Sequence, residues 1–153
     1  MRDYGDLSNN PQWFEMKDKV KSVIIEDGVT NIGWYAFSRC TNLTNIEISN
    51  SVTDIGYFAF QECTSLTTVK IPNSITEIRA YTFMGCTNLT NIEIPNSVTI
   101  IGGSAFRWCT SLTSIEIPNS VISIDWYAFD ECTNLTNIVI PNSVTDIRGD
   151  IFF

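Results

Sequence analysis

Apolar and polar residues alternate over short stretches of this chain, and the stretches return at a fixed interval. In Leu89-Thr90-Asn91-Ile92-Glu93-Ile94, the apolar Leu89, Ile92 and Ile94 are separated by polar Asn91 and Glu93. That pattern predicts a short strand with one buried and one wet face. The same frame opens at Leu43, Leu66, Leu112 and Leu135. A degenerate version opens at Val20, with Val23, Ile25, Val29, Ile32, Phe37 and Cys40 in the matching places. Five cysteines, Cys40, Cys63, Cys86, Cys109 and Cys132, keep a strict 23-residue period. A period of this length reads as a stack of similar coils rather than a globule around one catalytic cleft. No tight hairpin turn joins successive strands, so each should pair in parallel with its counterpart one coil on, about 4.8 Å away.

Pro-Asn-Ser ends the strand in four coils, at Pro72, Pro95, Pro118 and Pro141. Proline lacks the N–H that a continuing ladder would use, and Asn and Ser favour turns. A second apolar pair follows, such as Val98 and Ile101 or Val144 and Ile147, and predicts an extended segment on another side of the coil. Then comes Ala-Phe-x-x-Cys-x-x-Leu, as in Ala105-Phe106, Cys109 and Leu112. Apolar residues three apart predict a short helical turn there, with irregular turns as the alternative. The fold class is an α/β repeat solenoid with a parallel β-sheet on one face and short extended segments and helical turns elsewhere. Residues 1–19 form an N-terminal cap, and residues 20–153 form five full coils and a partial sixth. Six coils give a stack roughly 25–30 Å long. Within the cap, Asn10-Pro11 is a helix-start signature, and Trp13, Phe14 and Met16 are placed to cover the open end of the first coil.

The repeat L-x-x-I-x-I-P-x-S-V-x-x-I-G-x-x-A-F-x-x-C resembles the BspA-like, or treponemal-type, leucine-rich repeats over residues 20–153. The Ala-Phe-x-x-Cys half separates this class from other leucine-rich repeats, and the lead-in from Trp13-Phe14 to Ile24-Ile25-Glu26-Asp27-Gly28-Val29-Thr30 resembles the opening of such arrays. The resemblance implies a right-handed solenoid. It also implies a bacterial or protozoan surface or secreted protein, with adhesion to cells among its roles. It carries no shared catalytic residue, so no site transfers.

Composition narrows the function classes. A net charge of −8 argues against nucleic acid and anionic membranes as partners. No apolar run is long enough for a transmembrane helix, so no membrane insertion is expected. Residues 1–18 are too polar for a secretory leader, and whether Met1 stands in place of one is left open. The cysteines repeat at one interior position, where parallel equivalents make poor disulfide geometry; they read as a ladder of buried thiols. With no histidine, Ser-His-Asp and Cys-His catalysis are impossible. There is no Gly-rich phosphate loop and no Cys-x-x-Cys motif, so neither cofactor nor metal is expected. The chain reads as a non-enzyme.

Variation between coils is the remaining functional signal. Between the isoleucine and the Ala-Phe pair, successive coils read Gly33-Trp34-Tyr35, Gly56-Tyr57-Phe58, Arg79-Ala80-Tyr81, Gly102-Gly103-Ser104, Asp125-Trp126-Tyr127 and Arg148-Gly149-Asp150. Before each cysteine they read Ser38-Arg39, Gln61-Glu62, Met84-Gly85, Arg107-Trp108 and Asp130-Glu131. Most of these positions should point outward. Stacking aligns Trp34, Tyr35, Tyr57, Phe58, Tyr81, Trp108, Trp126 and Tyr127 into a stripe of the composition found at recognition surfaces. Outer packing over the Ala-Phe segment is the competing explanation for these rings. The wet face of the sheet, with Glu47, Lys70, Glu93 and Glu116, is the alternative ligand surface, and Glu93 with Glu116 could share a calcium ion. Arg148-Gly149-Asp150 spells an integrin-type tripeptide, a weak signal in one short chain. Leu135, Ile138, Ile140, Val144, Ile147 and Phe152 would show one side to water. That predicts a homodimer through the last coil, or a piece of a longer array. The leading reading is therefore a binding or adhesion module for a protein or cell-surface ligand. A self-assembly unit and an engineered repeat binder are the alternatives.

Overall fold

The computed structural model describes residues 16–152. Two rows of short strands alternate along the chain. They begin with β1 (Ser22–Ile25), β2 (Asn31–Ile32), β3 (Asn45–Ile48), β4 (Asp54–Ile55), β5 (Thr68–Lys70) and β6 (Glu77–Ile78). They continue with β7 (Asn91–Glu93), β8 (Ile100–Ile101), β9 (Ser114–Glu116), β10 (Ser123–Ile124), β11 (Asn137–Val139) and β12 (Asp146–Ile147). Every pairing is parallel and joins equivalent positions of adjacent coils, Val23 to Ile46 and Ile92 to Val69 among them. In the first row β1 pairs with β3, β5 with β7 and β9 with β11; in the second β2 pairs with β4, and β6, β8, β10 and β12 form one continuous sheet. The parallel solenoid expected from the alternation is present.

On the Ala-Phe-x-x-Cys side the alternative of irregular turns, not the short helical turn, is what forms. No α-helix occurs among the described residues, and residues 34–39 and their equivalents run through consecutive turns. The backbone explains why. Tyr35, Phe58, Tyr81, Ser104 and Tyr127 sit at φ of 55–63°, as do Arg39, Glu62, Trp108 and Glu131; Gly85 completes that second column at φ 74°. A helix requires negative φ throughout, so a left-handed residue every fourth position prevents one. The left-handed residues turn every second N–H toward the next coil. Tyr81 donates to the Gly103 carbonyl (3.0 Å), Phe83 to Ala105 (2.9 Å) and Gly85 to Arg107 (2.8 Å). Each non-glycine left-handed residue costs about 1–2 kcal/mol. Leaving its N–H unpaired in the interior would cost about 1–3 kcal/mol, so the inter-coil bonds decide the conformation.

Inside, Phe37, Phe60, Phe83, Phe106 and Phe129 stack face to face, with centroids 5.5–5.7 Å apart and planes within 7°. Ile32, Ile55, Ile78, Ile101 and Ile124, together with Leu43, Leu66, Leu89 and Leu112, fill the rest of one continuous core. All five cysteines are free and buried. The thiols of Cys63, Cys86, Cys109 and Cys132 each donate to the carbonyl of the phenylalanine 26 residues earlier, at 3.1–3.3 Å. Burial pushes these thiols upward in pKa: Cys86 and Cys109 well above the ordinary value, and Cys132 up to about 12. Hydroxyls staple the corners. Ser97 donates to Ile75 (2.6 Å), Ser120 to Val98 (2.6 Å) and Thr99 to Thr76 (3.1 Å), each one coil back. The N-terminal cap expectation rests largely on residues 1–15, which lie outside the described residues; Met16, which is described, is half exposed.

Candidate functional site

The aromatic residues singled out by coil-to-coil variation occupy two adjacent turn positions. The first column runs Trp34, Tyr57, Ala80, Gly103, Trp126 and Gly149. The second, the left-handed one, runs Tyr35, Phe58, Tyr81, Ser104 and Tyr127. Because inter-coil bonds hold Tyr35, Tyr81, Ser104 and Tyr127, ring directions repeat from rung to rung. Tyr35, Phe58 and Tyr81 form a face-to-face stack, 4.7 and 4.5 Å apart with planes within 6°. Trp34 meets Tyr57 edge-on at 5.3 Å. Trp34, Tyr81, Trp108, Trp126 and Tyr127 are exposed, while Tyr35, Tyr57 and Phe58 are half-buried between neighbours. The stripe is therefore partly outer packing and partly open surface. It divides in two at Ala80, Gly103 and Ser104, where small residues interrupt both columns.

Arginines dress several of these rings. The Arg79 guanidinium lies 5.4 Å from the Tyr57 ring centroid and pairs with Asp54 at 2.9 Å. That of Arg107 lies 4.4 Å from Trp108 and 5.7 Å from Tyr127. Arg107 Nε also approaches Asp130 Oδ2 at 2.7 Å, an ion pair too poorly aligned for a hydrogen bond, and both Asp130 oxygens lack one. The expectation that variable positions point outward fails at Ser38, Ser104 and Asp130, which are buried. At Ser104 and Asp130 the coils trade a bulky outward side chain for a small or paired inward one.

The wet sheet face is polar and shallow. Asn91, Glu93, Ser114, Glu116, Asn137 and Val139 line an open groove of about 1180 Å³, and Asn45, Glu47, Thr68 and Lys70 line one of about 380 Å³. Lys70 pairs with Glu93 across adjacent rungs at 3.9 Å, a contact so exposed that it contributes little. No group of three His, Cys, Asp or Glu suited to a metal ion occurs among the described residues. The residues expected to self-associate are graded. Leu135, Ile138, Ile140 and Val144 pack partly buried against the core, whereas Ile147 and Phe152 are half exposed. The Arg148-Gly149-Asp150 tripeptide is tied into the fold. Arg148 pairs with Asp146 (2.7 Å) and Asp125 (3.4 Å), the Asp150 carbonyl accepts from Tyr127 (2.7 Å), and Gly149 lies against the Trp126 ring. Hydrogen bonding to Asp146 and its charge raise the Arg148 pKa further.

Sequence reading missed the two left-handed columns. Asn and Gly usually mark such positions, and here the one signal is Gly85 in the column otherwise holding Arg39, Glu62, Trp108 and Glu131.

The geometry is that of a repeat family, and comparison decides which. The sequence model for the BspA-type leucine-rich repeat region matches in six copies over residues 10–109 and 99–153. The chain belongs to the BspA-type leucine-rich repeat family. Among solved structures it is similar to a leucine-rich cell surface protein of Faecalibacterium prausnitzii A2-165, at 33% identity and TM-score 0.72, over 84% of this chain and 32% of that one. It is also similar to a Treponema pallidum leucine-rich repeat protein, at 28% identity and TM-score 0.71, over 84% of this chain and 74% of that one. A Bacteroides ovatus leucine-rich repeat protein follows at 27% identity and TM-score 0.57, over 83% of this chain and 47% of that one. The BspA-type chain thus spans about a third of the F. prausnitzii protein and under half of the B. ovatus one. No curated protein matches it in sequence.

Proposed function

We propose that this BspA-type array is a non-catalytic binding module of a cell-surface or secreted protein, and that its aromatic turn face contacts a protein or cell-surface ligand. One observation carries the reading: exposed Tyr81, Trp108, Trp126 and Tyr127 stand on backbone positions held by inter-coil hydrogen bonds, through the N–H of Tyr81, Trp108 and Tyr127 and the carbonyl of Trp126, and Trp34 is exposed in the same column as Trp126. Rigid aromatics lose little conformational freedom on contact, so such a face binds with a small entropic penalty. Similarity to a cell surface protein supports the location. The test is binding of fluorescently labelled protein to intact cells, measured for the wild type and for the combined Tyr81→Ala, Trp108→Ala and Trp126→Ala variant. Loss of at least about 10-fold in affinity is expected if these are hot-spot residues; unchanged binding refutes the reading.

A second reading, self-association, draws on the exposed apolar side chains of Val139, Ile147 and Phe152. Light scattering from micromolar to near-millimolar concentration separates the two: a constant monomer removes self-association.

A further inference from the structure

Among the exposed aromatics, Trp126 stands apart. It is the most exposed ring of the described residues, at 56%. Its neighbours in the column are Gly103 and Gly149, so no side chain at the equivalent position of either adjacent coil covers it. The Gly149 backbone supports the indole from one side: a Cβ there would fall 2.2 Å from its six-membered ring, so the glycine is required for the ring to lie as it does. Elsewhere on this face the protein supplies a guanidinium to the ring, Arg79 at Tyr57 and Arg107 at Trp108 and Tyr127. Trp126 has no such cation and no ring partner among the described residues. The arginine one coil on, Arg148, is instead drawn to Asp146 and Asp125.

The surroundings are acidic. Between positions 125 and 150 the chain carries Asp125, Asp130, Glu131, Asp146 and Asp150; Arg148 pairs with Asp125 and Asp146, Arg107 of the coil before pairs with Asp130, and Glu131 and Asp150 have no ion pair among the described residues. That segment contributes four of the eight net negative charges of the molecule. Glu131 and Asp150 are exposed. Below the surface Asp130, 1% exposed, forms its ion pair with Arg107, and neither of its carboxylate oxygens is hydrogen-bonded among the described residues. An indole face in a negative field is a seat for a cation, since ring quadrupole and carboxylates both attract positive charge.

Resting on the reading of the turn face as a contact surface, we propose that Trp126, with Asp125 and Glu131 on its own coil and Asp150 on the next as an acidic rim, is the seat for an arginine or lysine side chain of a basic protein partner. The partner's cation would take the place that Arg79 and Arg107 take on the other rings, and its neighbouring positive charges would face the acidic rim. An anionic lipid surface or an acidic polysaccharide would be repelled by the same rim.

Two-dimensional NMR of the full chain, following the Trp126 indole Nε1–H signal, tests this directly. The probes are the blocked peptides Gly-Arg-Gly-Arg-Gly and Gly-Glu-Gly-Glu-Gly and the neutral sugar cellotetraose. A saturable shift of the Trp126 signal with the arginine peptide is expected, weakened by salt as charge attraction must be. Followed at the backbone amides of Tyr127 and Gly149 in both proteins, Trp126→Ala should weaken binding about 2- to 30-fold, the range of a cation–ring contact. Asp125→Asn with Glu131→Gln, which keeps every ring, should weaken it as well. Equal shifts with the glutamate peptide, or a response to the sugar alone, overturns the proposal. If cell binding survives Trp126→Ala but fails in the triple variant, this seat is wrong and the turn face stands. If it survives both, the turn face itself is wrong.

Discussion

Replacing Phe83 by alanine should damage this molecule far more than the same change at Phe152, and the structure sets the difference. Phe83 is fully buried and stacked on both sides, 5.5 Å from Phe60 and 5.7 Å from Phe106. Truncating a buried phenylalanine costs about 3–5 kcal/mol in lost transfer energy and residual cavity. The two lost ring pairs push Phe83→Ala to the upper part of that range, since each is worth about 0.5–1.5 kcal/mol. Phe152 is 48% exposed and has one ring neighbour, Phe129, at 6.0 Å and a 28° tilt. Its loss should cost about 1–2 kcal/mol, half the transfer term and one poor ring pair. Urea unfolding followed by far-ultraviolet circular dichroism measures both. A gap of about 3 kcal/mol is expected, and since coils contact only their neighbours the damage should spread outward from Phe83. Equal midpoints for the two variants would refute the claim that the phenylalanine ladder is the structural axis of the stack.

Three further outcomes are expected. Ser97→Ala removes a hydroxyl that bonds the Ile75 carbonyl and should destabilise by about 1 kcal/mol, whereas Ser143→Ala removes a buried hydroxyl with no partner and should be neutral or stabilising in the same denaturation assay. At exposed, left-handed Glu131 (φ 55°), valine should be less stable than glycine by about 1–2 kcal/mol, and equal stability would contradict the strain argument. The buried thiols have folded pKa values above the ordinary 9.0, so their stabilisation is complete below pH 9 and is lost as pH rises. In that window the unfolded chain releases thiol protons that the folded chain retains. Cys132→Ala should flatten the decline of urea midpoints between pH 9 and 11 by one proton, about 1.4 kcal/mol per pH unit.

The coils were legible because burial imposes the same demand on every rung. Ile92 and Ile115 must face inward while Asn91 and Ser114 face water, so alternation and period together dictate parallel strands. The Ala-Phe-x-x-Cys segment stayed open between two readings because apolar spacing of three fits a helix and a run of turns equally well. What separates them is the sign of φ at Tyr81 and Gly85, which is set by hydrogen bonds to Gly103 and Arg107 one coil away. Tertiary pairing overrode local preference there. The aromatic columns could be read as a stripe, but not which rings would be covered. Phe58 lost its faces to Tyr35 and Tyr81, and Trp126 kept one because Gly103 and Gly149 flank it. Nor could composition show that Arg148 would be held by Asp146 and Asp125 rather than offered to a partner.

The central claim is that the turn face, not the sheet face, makes the contact. Two variants of equal size test it in one cell-binding titration: Tyr81→Ala with Trp108→Ala and Trp126→Ala on the turn face, and Glu47→Gln with Glu93→Gln and Glu116→Gln on the sheet face. Both sets lie on exposed side chains, so both variants should fold. The account predicts that the aromatic variant loses binding and the sheet variant keeps wild-type affinity; the opposite pattern would move the site to the sheet groove and contradict it.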